Sequence, residues 1–167
     1  MKPHIALAHH YWKTHLKPND VAWDMTCGNG HDTLALHSLG ATIYGFDIQE
    51  TAIKNTLEKV PTATLFLRSH DDLPPLPTPR LIVYNLGYLP GSDKSITTNT
   101  STTLRSLDLA IQTLAPDGAL SITCYPGHPE GAREEKAILE WAKTLPKQVC
   151  YHQWITREKS PSLLLIT

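Results

Sequence analysis

No stretch of this sequence approaches the ~18 consecutive apolar residues of a membrane-spanning helix. The N-terminal segment MKPHIALAHHYWKTHL also lacks the apolar core, about 7–15 residues long, of a secretory signal. Both absences predict a soluble, cytoplasmic protein without a membrane partner. An excess of one charge is missing too: 15 basic and 16 acidic side chains leave a net charge of −1. That excludes a histone-like or tail-driven nucleic-acid binder, so any RNA partner has to be held by a local patch. The three cysteines, Cys27, Cys124 and Cys150, show no CxxC spacing, which indicates neither a disulfide framework nor a zinc knuckle. Nine histidines are present without an H-E-x-x-H pattern. Adjacent helical residues point about 100° apart, so His9, His10 and His15 read as a surface cluster, and no metal is expected. No repeat or low-complexity segment interrupts the chain.

What is present is an alternation of strands and helices suited to one domain spanning residues 1–167. Apolar residues at Ile5, Ala8, Trp12 and Leu16 recur at helical spacing, and Pro18-Asn19-Asp20 ends that helix. Strands are predicted over 21–24, 41–46, 63–67, 81–84, 119–123, 148–155 and 162–166. Helices are predicted over 32–39, 50–59, 100–114 and 130–145. The Pro-rich segment LPPLPTP before the fourth strand reads as an irregular covering segment. A β-strand pair at the C-terminus adds an antiparallel edge. The layout is α/β and resembles the Rossmann-like class I methyltransferase fold: a seven-stranded, mostly parallel sheet, an antiparallel last strand and helices on both faces.

Two segments carry the chemistry. The first, Asp24-Met25-Thr26-Cys27-Gly28-Asn29-Gly30-His31-Asp32-Thr33, lies between a strand and a helix, where glycines let a ligand approach the backbone and the helix start exposes amides. A dinucleotide fingerprint requires a third glycine where Thr33 stands, which disfavours NAD. The pattern instead resembles motif I of S-adenosylmethionine-dependent methyltransferases. Asp47 ends the second strand, placed to accept bonds from both ribose hydroxyls. Asp32 and Thr33 serve either as a helix cap or as ligand contacts; both readings stand at this level.

The second segment is YNLGYLPGSDK. Asn85-Leu86-Gly87-Tyr88 follows the fourth strand, where amino-methylating enzymes of this fold carry N/D-P-P-Y/F; Leu-Gly replaces Pro-Pro here. An Asn carbonyl at that place accepts a hydrogen bond from a substrate amine and directs its lone pair. The Tyr88 ring stacks on a base. The alternative is a turn-capping Asn and a Tyr packed at the sheet edge. Lys94 is either a phosphate contact or a solvated charge. Cys124 reads as a buried structural thiol, not a nucleophile.

DMTCGNGHDT, YGFDIQ, Ser69-His70, YNLGYLPGSDKSITT and CYPGHPEG occur in this order. Together they resemble a bacterial family, once labelled rRNA methylases, that methylates the 5-aminomethyl group of (2-thio)uridine at the tRNA wobble position. The resemblance implies S-adenosylmethionine as cofactor, held by Asp24, Thr26, Gly28, Asn29, Gly30, Asp32, Thr33, Asp47, Gln49, His70 and Asn85. It implies Asn85 and Tyr88 as the methyl-transfer site, and Tyr88, Lys94, Tyr125 and His128 as contacts to substrate RNA, the anticodon stem-loop. A chain without an appended RNA-binding domain is also a candidate homodimer. The rival readings are an rRNA or small-molecule amine substrate and a non-catalytic cofactor- or RNA-binding module.

Overall fold

The computed structural model describes residues 1–87, 99–156 and 160–167. In chain order the elements are α1 (Pro3–His15), β1 (Val21–Asp24), α2 (His31–Ser38), β2 (Thr42–Asp47), α3 (Glu50–Lys59), β3 (Thr64–Leu67), β4 (Leu81–Asn85), α4 (Thr100–Thr113), β5 (Ala119–Cys124), α5 (Pro129–Ala142), β6 (Val149–Gln153) and β7 (Ser162–Ile166). Pro3 sits in the first turn of α1, where its missing N–H costs nothing. Gly40, with φ of 83°, provides the left-handed turn between α2 and β2.

The seven strands form one sheet in the order β3-β2-β1-β4-β5-β7-β6. β1 to β5 pair in parallel, and β7 runs antiparallel to both β5 and β6. The last strand therefore inserts between β5 and β6, and β6 forms the edge. Burial explains this placement. All five residues of β7 are buried, whereas β6 has only intermediate and exposed positions, so the fully apolar SLLLI takes the interior place.

Period-two alternation sends successive side chains to opposite faces. On β4, Leu81 and Val83 join Ala8, Trp12 and Leu16 of α1 and Leu36 of α2. Ile82 and Tyr84 join Leu107 and Ala110 of α4 and Ile138 and Ala142 of α5. Helices thus cover both faces of the sheet, each with its own apolar layer. The Pro-rich segment lies over the second layer, with Leu73 and Leu76 packed against it. Among the described residues no helix is long and apolar enough to cross a membrane. The order β3-β2-β1-β4 reverses direction between β1 and β4, which makes the carboxyl ends of those two strands a switch point where ligands bind in open α/β sheets.

A close approach at this end explains one glycine. A Cβ on Gly45 of β2 would lie 2.5 Å from Cys27 Sγ and 2.7 Å from Leu65 Cδ2. Cys27 fits its turn because the neighbouring strand has no side chain there. Gly45→Ala is expected to destabilise the fold by about 1–3 kcal/mol, the cost of overpacking. Adding Cys27→Ala should recover the part of that loss due to the sulfur. Urea denaturation of the two single variants and the double variant measures this coupling.

Candidate active site

The site grows from the carboxyl end of β1. Asp24 is fully buried, and its two carboxyl oxygens have separate donors: Thr33 Oγ1 donates to Oδ2 at 2.6 Å, and the Thr26 amide donates to Oδ1 at 3.2 Å. One carboxyl therefore ties the end of β1 to the first turn of α2 and to the Gly-rich turn between them. Burial, with the nearby Asp32 carboxylate adding to it, pushes the Asp24 pKa up to about 7. Thr33 is thus a structural donor to Asp24, and the helix N-cap is Gly30, in the left-handed region with φ of 83°.

Within the turn, Gly28 and Gly30 both have positive φ. A Cβ on Gly30 would lie 2.9 Å from Thr56 Cα of α3, and Thr56 Oγ1 donates to the Gly28 carbonyl. Asn29 Oδ1 accepts from Asn55 Nδ2 at 3.1 Å, so α3 braces the turn from the side. Asp47, at the end of β2, accepts the Gly28 amide on Oδ2 at 3.0 Å and the Gln49 amide on Oδ1 at 2.9 Å. Its burial raises the carboxyl pKa, and these amides partly offset the rise. Each Asp47 oxygen keeps acceptor capacity after one such bond.

Asn85 closes the site from β4. Its backbone N–H donates to Thr26 Oγ1 at 2.7 Å and its Nδ2 to Asp32 Oδ2 at 3.1 Å. The other Asp32 oxygen faces His9 Nε2 of α1 at 3.3 Å. Burial, with the nearby Asp32 carboxyl adding to it, raises the Tyr125 phenol to about 12, and the neighbouring Asn85 side chain acts against that rise. His4 of α1 meets the Tyr125 ring edge-on at 5.9 Å and Trp154 at 6.1 Å. His4 is buried and desolvation lowers its pKa.

The histidines therefore correct the surface-cluster reading. His9 and His15 are half-buried and only His10 is exposed; His9 packs on Trp12 and His15 stacks on Tyr11. A helix buries whichever side chains face the sheet, whatever their polarity. His4 and His9 are the site-facing residues that sequence reasoning missed. Their place on the same side of α1 as Ala8 and Trp12, by the 3.6 period, was the available signal.

His70, after β3, is buried with its ring edge-on to Tyr84 at 5.7 Å, and Ser106 Oγ donates to its carbonyl at 2.9 Å. Desolvation lowers its pKa to about 4, so it is neutral at pH 7. His128 caps α5, its Nδ1 accepting the Gly131 amide at 3.2 Å. A Cβ on Gly131 would lie 2.0 Å from the Tyr125 carbonyl oxygen, which accounts for the glycine in CYPGHPEG. Cys27 and Cys124 are buried thiols pushed upward in pKa, chiefly by desolvation, the state of an inert thiol. Among the described residues no three His, Cys, Asp or Glu side chains gather as a metal site. Tyr88 and Lys94 lie outside the described residues.

The chain is similar to several known proteins. The family model described as "Putative rRNA methylase" matches residues 43–167. The chain is 33% identical over 184 residues to an Arabidopsis thaliana protein named tRNA (mnm(5)s(2)U34)-methyltransferase, chloroplastic, covering 96% of this chain and 67% of that one. A Clostridium thermocellum crystal structure described as a putative rRNA-methylase matches at a TM-score of 0.90 and 32% identity over 99% of this chain and 97% of that one. A Streptococcus mutans putative methyltransferase, solved with S-adenosylhomocysteine, matches at a TM-score of 0.86 and 32% identity over 99% and 98%.

Asp24 and His70 predict opposite pH effects on stability. Asp24 ionises near pH 4 when unfolded and near pH 7 when folded, so its contribution is whole below about pH 4 and is lost as pH rises to about 7. His70 is depressed from 6.5 to about 4, so its contribution is whole above about pH 6.5 and is lost as pH falls towards 4. Asp24→Asn removes the first slope alone. Its stability relative to the unsubstituted protein should rise from pH 4 to 7, by at most about 1.4 kcal/mol per pH unit. Urea melts at several pH values read this difference, and a flat difference would refute the buried, protonated carboxyl.

Proposed function

The chain belongs to the rRNA methylase family and is an S-adenosylmethionine-dependent methyltransferase of class I fold, and we propose that it methylates the primary amine of a 5-aminomethyl-(2-thio)uridine at the wobble position of tRNA. The observation that carries this reading is the direct attachment of Asn85 to the Gly-rich turn through Thr26 and Asp32. A carbonyl acceptor for an amine thereby shares one rigid unit with the turn that holds the cofactor. The name of the Arabidopsis relative supports the wobble-uridine substrate.

The residues present fit the cofactor. Gly28 and Gly30, both at positive φ, keep two positions of the turn free of side chains, and Asp47 stands at the β2 carboxyl end with spare acceptor capacity for a ribose diol. Asp24, Thr26, Asn29, Asp32, Thr33 and Gln49 surround or brace this turn, and His70 extends the reading to the end of β3. When bound, S-adenosylmethionine supplies an electrophilic methyl group on its sulfonium. The chain's own part is positional. Asn85 Oδ1 accepts an N–H of the neutral amine and so aims the nitrogen lone pair, an orientation worth orders of magnitude in rate. After transfer the nitrogen is cationic and sheds one proton. Tyr88 stacks on the target base, Tyr125 and His128 line the approach, and Lys94 meets a phosphate.

The test is methylation of tRNA carrying 5-aminomethyl-2-thiouridine by purified protein, read by nucleoside mass spectrometry. Conversion to the methylaminomethyl nucleoside is expected; methyl groups entering rRNA and not this tRNA would replace the reading with its rival. Asp47→Ala should weaken cofactor binding by roughly 1.5–3 kcal/mol, about 10- to 100-fold, through loss of a charged acceptor; calorimetry measures it. Asn85→Ala should leave that affinity nearly intact and cut the single-turnover rate on the order of 10²-fold. A folded Asn85→Ala protein with full activity would refute the amine-acceptor role.

A further inference from the structure

An amide side chain presents a useful acceptor only if it does not turn over, because its nitrogen and oxygen are nearly the same size. Asn85 is held against that flip. Its Nδ2 donates to Asp32 Oδ2 at 3.1 Å, a bond that the amide oxygen, an acceptor, does not replace. That bond leaves Oδ1 on the side of the amide turned away from Asp32. Asp32 is itself held, its second oxygen facing His9 Nε2, and it is only slightly exposed, at 16% of its side-chain surface.

We propose that Asp32 is a positioning residue for methyl transfer, which locks the Asn85 amide with Oδ1 turned towards the substrate amine, while His9 holds the carboxylate in place. This rests on the amine-methylation reading above and assigns Asp32 to the acceptor side of the reaction, not to cofactor affinity. It also accounts for a charged residue in the first turn of α2 that Asp24 and Thr33 do not use.

The experiment compares Asp32→Ala, Asp32→Asn, Asn85→Asp and the exchange variant Asp32→Asn/Asn85→Asp. Asp32→Ala should lose on the order of 10²-fold in single-turnover rate with cofactor affinity nearly unchanged. Asp32→Asn retains an acceptor oxygen and should recover much of that loss. Asn85→Asp alone sets two carboxylates against each other and should be nearly inactive; the exchange variant restores one donor and one acceptor and should regain at least about tenfold over it. A readout without substrate is the side-chain amide signal of Asn85 in proteins labelled at asparagine. Its protons should be protected in the unsubstituted protein and exchange faster in Asp32→Ala. Unchanged rate in Asp32→Ala, or a loss confined to cofactor affinity, would overturn the proposal while leaving amine methylation intact. Failure of the unsubstituted protein to methylate the aminomethyl tRNA would overturn the substrate reading and this role with it.

Discussion

The buried carboxyl of Asp24 is the constraint on which the site depends. Taking a carboxyl out of water is unfavourable unless its oxygens are satisfied, and here Thr33 and Thr26 satisfy them from two different segments. The bond to Thr33 sets how α2 leaves the turn, and the bond from Thr26 sets the turn's first peptide. Thr26 then carries the arrangement onward, since its hydroxyl accepts the Asn85 amide of β4. Three segments distant in sequence meet through one group that would be costly to leave unpaired.

From that anchor the site is assembled by polar bonds across the switch point and not by apolar packing. Asp47 holds the far side of the turn through the Gly28 amide, and α3 braces it through Thr56 and Asn55. Asp32 links α1 to β4 through His9 and Asn85. The apolar layers below position these backbones; the bonds select which atoms face the ligand space. The Asp24, Asp32 and Asp47 carboxyls are placed where their hydrogen bonds join separate elements.

Several reactive side chains are buried and packed within the fold. Cys27 fills the space opposite Gly45, Cys124 lies inside the sheet, and Tyr84 bonds Ser106 beneath His70. Desolvation holds both thiols protonated and His70 neutral, so none of them offers charge or nucleophilicity at pH 7.

The order of strands and helices, the parallel sheet and the covering role of LPPLPTP were legible from the sequence, because apolar periodicity reports directly which face of each element is buried. The glycines of the turn and Asn85 at the end of the fourth strand were legible for a related reason: each sits where a strand pattern stops. Tertiary structure decided the rest. It placed β7 inside β6, since burial of SLLLI outweighs chain order. It turned Thr33 towards Asp24 and not towards solvent. It brought His9, 23 residues before Asp32, and Asn85, 53 residues after it, onto the same carboxylate. Local pattern encodes the burial of an element, but which polar atoms meet across elements follows only from how the elements pack.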